Sequence, residues 1–224
     1  SQIEAGGDVI IRKGCQGKGL GKIIAGKSIV GQFFESAVLT AGKDVKATYL
    51  LNCQLKANGK LLVEGRKGVI IGGKTCAKLG VSCNGIGNIA EIATVVSVGI
   101  DKEDMTAYQE LQKKIEQTQA ELQTCENGLN KLMANPVHDE KVSMMIQRLT
   151  RAVYTLKSSR KELFSERNAQ MEQMTKQKEA RIQVSGRAYP GTLLFLNEDP
   201  FAIKEIYNNV EFVKHDNRID TLAH

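Results

Sequence analysis

Four short segments near the start of the chain repeat one another: Ile3-Glu4-Ala5-Gly6-Gly7-Asp8-Val9, Ile23-Ile24-Ala25-Gly26-Lys27-Ser28-Ile29, Leu39-Thr40-Ala41-Gly42-Lys43-Asp44-Val45 and Leu55-Lys56-Ala57-Asn58-Gly59-Lys60-Leu61. Their alanines are 20, 16 and 16 residues apart. In each, an aliphatic residue and the alanine alternate with polar or variable residues, the period of a strand with one buried face. The glycine or Asn-Gly that follows supplies a sharp turn. One such unit cannot exclude water from its apolar face, but a neighbour above and below can. The repeat therefore predicts a parallel β-solenoid in which like side chains stack in columns. A meander or sandwich of hairpins is the competing architecture, but it has no need of near-equivalent Ala-Gly steps at regular spacing. Ala37 and Cys53 share an offset before Ala41 and Ala57, so Cys53 is expected in a column of small residues as an inert thiol.

Glycine marks where this architecture stops. Of 21 glycines, 18 lie in residues 1–100, one in 101–184 and two in 185–224. From Asp101, Tyr108, Leu111, Ile115, Thr118, Leu122, Cys125, Leu129 and Leu132 alternate at spacings of three and four, the seam of a coiled coil. Asn135-Pro136 breaks this helix. A second stripe follows through Val142, Met145, Ile146, Leu149, Val153, Leu156 and Leu163. Two long helices joined by a short turn predict an antiparallel coiled-coil hairpin over 101–183, its first helix roughly 50 Å long at 1.5 Å per residue. Strand chemistry returns with Ile182, Val184, the turn at Tyr189-Pro190-Gly191-Thr192 and the run Leu193–Leu196. Residues 184–224 are expected to complete or cap the β-helix of residues 1–100, with the hairpin inserted between.

Composition removes several classes of function. With 224 residues, 42% of them apolar, the chain can bury a core. No apolar run reaches the length of a membrane span and no secretory pattern opens the chain, so it reads as cytoplasmic. Beginning at Ser1 inside a repeat, it also reads as a piece of a longer protein. Cys15, Cys53, Cys76, Cys83 and Cys125 are odd in number and form no Cys-x-x-Cys pair, so reduced, buried thiols are expected rather than disulfides or zinc. His138, His215 and His224 have no ligand partner at helical spacing, so no metal site is assigned.

Four features invite a functional reading. Residues Gly68–Thr75 fit G-x-x-x-x-G-K-T, the phosphate-cradling loop, but that loop needs a helix beginning at the Lys-Thr step. The glycines and missing apolar stripe after Thr75 predict none, so Lys74 and Thr75 are not assigned to a nucleotide. The Gly17–Lys22 stretch reads as a solenoid loop. Polysaccharide chemistry needs paired carboxylates, and Asp8 and Asp44 recur at equivalent turns with Ser28 between them. Polar turn residues are the simpler explanation. The chain's net charge of +6 comes from the solenoid, which carries 13 Lys and Arg against 6 Asp and Glu in residues 1–100. Lys22, Lys27, Lys43, Lys46, Lys56, Lys60, Arg66, Lys67, Lys74 and Lys78 suggest a basic strip for anionic lipid, acidic protein or nucleic acid. Nucleic acid is the weakest of these partners, since few aromatics are present to stack on bases. No catalytic, cofactor-binding or metal residues are assigned.

The repeated Ala-Gly-(Gly/Lys)-Asp-Val units, the Gly72-Gly73 step, Val98-Gly99-Ile100-Asp101 before the coiled coil and Ile182-x-Val184 to Tyr189-Pro190-Gly191 after it together resemble the flagellar assembly protein A family of bacteria. The resemblance spans essentially the whole chain. It implies a right-handed β-helix with an inserted helical hairpin and an N-terminal domain upstream. It also implies a non-enzymatic scaffold or assembly role in flagellum formation through protein partners, and it brings no catalytic residues or cofactor. Lys27 and Lys43 in place of a second glycine, and Asn58 in place of the first, depart from the pattern at the turns. Self-association through solenoid ends and edges is a further possibility. A charge-driven binding module and a polysaccharide-active enzyme are the alternatives.

Overall fold

In the computed structural model, which describes residues 2–134, 139–216 and 218–223, the repeated segments lie above one another in parallel register. The strands are β1 (Gln2–Ala5), β2 (Val9–Ala25), β3 (Ile29–Ala41), β4 (Val45–Ala47), β5 (Tyr49–Ala57), β6 (Leu61–Val63), β7 (Val69–Ala77), β8 (Val81–Ile86) and β9 (Thr94–Val98). Two helices follow, α1 (Lys102–Met133) and α2 (Glu140–Lys178). The chain then returns to β10 (Ile182–Ala188), β11 (Thr192–Leu196), β12 (Asp199–Ala202), β13 (Tyr207–His215) and β14 (Arg218–Ala223).

Columns of like residues hold the coils together. Ala5, Ala25, Ala41, Ala57, Ala77, Val98 and Leu196 are successive register partners. Across the turn, Val9, Ile29, Val45, Leu61, Val81 and Ile182 form a second column. Ile29, Val45 and Leu61 have no exposed surface, and burying a side chain of this size stabilises by ~1.5–3 kcal/mol. The first five positions of the first column are alanine, placed directly before the strand bends into its turn.

The uneven first spacing has a local cause. Ile11 and Gly14 pair with Gly31 and Phe33, and Gln16 and Gly21 with Glu35 and Ala37, so β2 bulges twice. The Gly17–Lys22 stretch is thus the second bulge within a strand, with Lys18 and Gly19 at positive φ and Leu20 84% exposed.

At its C-terminal end the sheet is mixed, a departure from an all-parallel solenoid. Antiparallel pairs β10–β13, β11–β12 and β13–β14 close that end. Continuing in parallel requires a whole further coil, whereas a hairpin covers the last strand with few residues. Phe201, Tyr207 and Phe212 form the apolar lid, with ring centroids 5.5–6.3 Å apart.

The chain divides into two compact units, residues 1–101 with 174–224, and residues 102–173. Within the helical unit Leu111, Ile115, Leu122 and Val153 are buried. Lys157 Nζ lies 2.8 Å from Glu126 Oε1, and Arg160 Nη1 donates to Gln119 Oε1 at 2.8 Å. Asp139 caps α2, its Oδ1 accepting the Val142 N–H at 2.8 Å. The expected break at Asn135-Pro136, and His138 and His224, lie outside the described residues. No helix among the described residues is long and apolar enough to cross a membrane.

Candidate functional site

Each solenoid coil turns from the alanine column to the next aliphatic column through three residues: Gly6–Asp8, Gly26–Ser28, Gly42–Asp44, Asn58–Lys60 and Lys78–Gly80. After Val98 the same corner is filled by residues 99–181. The helices are therefore inserted at a turn, between the column residues Val98 and Ile182, and the ladder continues on either side.

Ordinary turns are tied to their neighbours by backbone bonds such as Gly26 N–H to the Ala5 carbonyl and Gly42 N–H to the Ala25 carbonyl, both at 2.8–2.9 Å. Asp8 Oδ1 accepts the Ser28 N–H, and Asp44 Oδ1 the Lys60 N–H, each at 2.8 Å. The two aspartates thus brace the turn of the next coil, which accounts for their recurrence without a glycan.

The seat of the insertion is built differently. Asn197 follows the last column residue, Leu196, and its N–H donates to the Val98 carbonyl at 3.0 Å. Its side chain then reaches both ends of the insertion: Oδ1 accepts the Ile100 N–H at 2.9 Å, and Nδ2 donates to the Lys178 carbonyl at 3.1 Å. Gly99, at φ 89°, lies beneath that side chain, with no room for a Cβ between Asn197 Oδ1 and the Gln177 carbonyl. Glycine is required twice over there, by conformation and by space. From the coil before, buried Lys78 reaches Asp101 at 3.8 Å. Gln177 is also buried, and its Oε1 has no hydrogen-bond partner among the described residues.

A cleft of about 560 Å3 opens beside this seat, lined by Lys60, Ser82, Lys176, Glu179, Arg181 and Gln183 among others. Glu211 of β13 closes its charge pattern, accepting from Arg181 Nη1 at 3.1 Å and Gln183 Nε2 at 3.2 Å. Such an arrangement clamps chain segments, and its paired charges hold strands to the cap. Among the described residues no group of three or more His, Cys, Asp or Glu could hold a metal ion.

The residues singled out in the sequence are not brought together. Lys74 and Thr75 lie inside β7, where Thr75 is 1% exposed and pairs with Leu55 and Val96, so no helix begins there and no phosphate loop forms. Cys53 is buried and pairs with Gly73, and its S–H donates to the Leu51 carbonyl at 3.4 Å. Burial pushes the Cys53 thiol up and that of Cys83 up to about 12. Six of the ten basic residues fall at several places on the coils: Lys22 and Lys74 share one column with Val38 and Gln54 between them. Lys27 and Lys43 are successive at the turn, Lys67 stands over the Tyr49 ring at 5.7 Å, and Lys78 is held by Asp101. Asn197, Gln177 and Glu211 escaped the sequence reading. Only Asn197 left a signal, since Leu196-Asn197 repeats the Ala57-Asn58 step from column to turn.

A family model described as the Flagellar Assembly Protein A beta solenoid domain matches residues 1–219. The chain belongs to that family. The match covers both β segments and the helices between them, as the ladder on either side of residues 99–181 requires. It places the chain in a flagellar assembly family. No curated protein and no solved structure matches the chain.

Proposed function

We propose that the chain is a non-enzymatic scaffold in bacterial flagellum assembly, acting in the cytoplasm by holding protein partners. Membership of the flagellar assembly family carries this reading. In it, residues 1–100 and 184–224 form one right-handed β-helix, and residues 101–183 form an antiparallel coiled-coil hairpin that serves as a docking arm. Gln119 with Arg160 and Glu126 with Lys157 support the hairpin, because the partner numbers run in opposite directions along the two helices. Asn197 supports the arm, since one side chain fixes both ends of the insertion to the last coil. Five free cysteines suit a reducing compartment. The spread of these lysines over several places on the coils counts against a charge-driven strip.

The test is in cells. Replacing residues 102–173 by a short Gly-Ser linker is expected to leave the protein abundant but to reduce flagella counted by electron microscopy and to remove its cross-links to partners. Normal flagella with unchanged cross-links would overturn the docking-arm reading.

A further inference from the structure

The two helices carry opposite charge balance. Helix α1 has 4 basic and 6 acidic residues, whereas α2 has 9 basic and 4 acidic. Between Lys141 and Lys161 there are 6 basic residues and no carboxylate. Lys157 and Arg160 turn toward α1, where Glu126 and Gln119 receive them. Of the other four, Lys141, Arg148 and Arg151 lie on the other side. Lys141, Met144, Arg148, Arg151, Thr155 and Ser158 are all exposed and follow one another at spacings of three and four. At 100° per residue they form one continuous stripe, opposite the less exposed Val142, Ile146, Leu149, Val153 and Leu156.

A face that merely keeps a helix in solution mixes both signs, because like charges one turn apart repel and destabilise the helix. Arg148 and Arg151 stand one turn apart with no carboxylate of α2 beside them. The missing negative charge is expected on whatever covers the stripe. Met144, 58% exposed between Lys141 and Arg148, supplies an adaptable apolar contact, and the guanidinium groups of Arg148 and Arg151 that follow it fit carboxylates in pairs. Spacing of three and four is how one helix receives another. A membrane-surface helix instead needs a broad apolar face, and here one residue in the stripe is apolar.

We propose that the outward stripe of α2 from Lys141 to Ser158 docks an acidic amphipathic helix of a partner protein. The proposal rests on the docking-arm reading and names the face and the partner chemistry.

The test uses the full chain and a synthetic helical peptide of about 20 residues with leucines at three-four spacing flanked by glutamates. Fluorescence anisotropy is expected to report binding that weakens with salt. The triple variant Lys141→Glu, Arg148→Glu, Arg151→Glu is expected to bind about tenfold or more weaker, as loss of several ion pairs implies. Lys22→Glu, Lys46→Glu, Lys74→Glu on the solenoid, an equal change in net charge, is expected to bind as the parent does, and circular dichroism checks that both variants fold. Failure of the parent to bind, or equal weakening by both triples, overturns the proposal. So does equally sensitive binding to equimolar phosphatidylcholine–phosphatidylglycerol vesicles, or a dimer that the α2 triple dissociates. If flagella are lost on removing residues 102–173 while peptide binding ignores the α2 triple, this face alone is wrong. Normal flagella on that removal overturn the arm and the face together.

Discussion

The side-chain oxygen of Asn197 occupies the space in which a Cβ on Gly99 would stand, two coils of the ladder meeting at residues nearly a hundred positions apart. That oxygen is already committed to the Ile100 N–H, and the amide nitrogen to the Lys178 carbonyl. The two residues therefore act as one fitting.

Gly99→Ala is expected to lower the unfolding free energy by ~1–3 kcal/mol, from the positive φ and the overlap together. Asn197→Ala loses two hydrogen bonds and is expected to cost ~1–3 kcal/mol. The double variant should cost less than the two single changes combined, because removing the amide opens the space the methyl needs. Urea unfolding of the four proteins measures this, and strict additivity would show that the two residues do not share the fitting.

Turn braces should be weaker. Asp44→Ala removes one acceptor from the exposed Lys60 N–H, with an expected loss of ~0.5–1.5 kcal/mol by urea denaturation. An effect far above that range would mean the carboxylate has a further task.

Much of this is legible in the sequence. The alanines of the first four coils announce their column through period and residue type together. The column beyond them was hidden, because Ala77 gives way to Val98 and Leu196, and 99–181 intervenes before the last step. Thr75 illustrates the same limit: a polar residue in a buried column between Leu55 and Val96 leaves no apolar mark in the sequence. Lysines pose the converse difficulty: Lys22 and Lys74, 52 residues apart, share a column, whereas Lys74 and Lys78, four apart, lie on a strand and at a buried turn. The aromatic lid of Phe201, Tyr207 and Phe212 depends on antiparallel pairing that no repeat encodes.

Alkaline pH should weaken the solenoid through Cys83. Burial raises its thiol from an ordinary value of 9.0 to about 12, so folding favours the protonated form. Stability from this group is fully present below pH 9 and is lost as pH rises toward 12. Cys83→Ala should flatten that part of the stability–pH curve. Alkylation at pH 8 read by mass spectrometry should leave Cys83 unmodified in the folded chain, and rapid labelling there would contradict its burial.

Packing in the alanine column tolerates little growth. Ala57 has no exposed surface and lies between Ala41 and Ala77, so Ala57→Leu is expected to cost ~1–3 kcal/mol. Leu61→Ala, in the neighbouring column, is expected to cost ~2–5 kcal/mol through the cavity it leaves. Thermal unfolding of both variants checks the order.

The claim that the helices fill a turn of an otherwise continuous ladder is tested most directly by replacing residues 99–181 with Gly-Lys-Asp, the turn that follows Ala41, and measuring amide hydrogen exchange. Val98, Ile182 and Leu196 should retain slow exchange comparable to Ala41 and Ala57, with a β-sheet circular dichroism spectrum and one cooperative unfolding transition. Fast exchange at Ile182 and Leu196, with the earlier coils still protected, would show that the ladder does not run through the insertion.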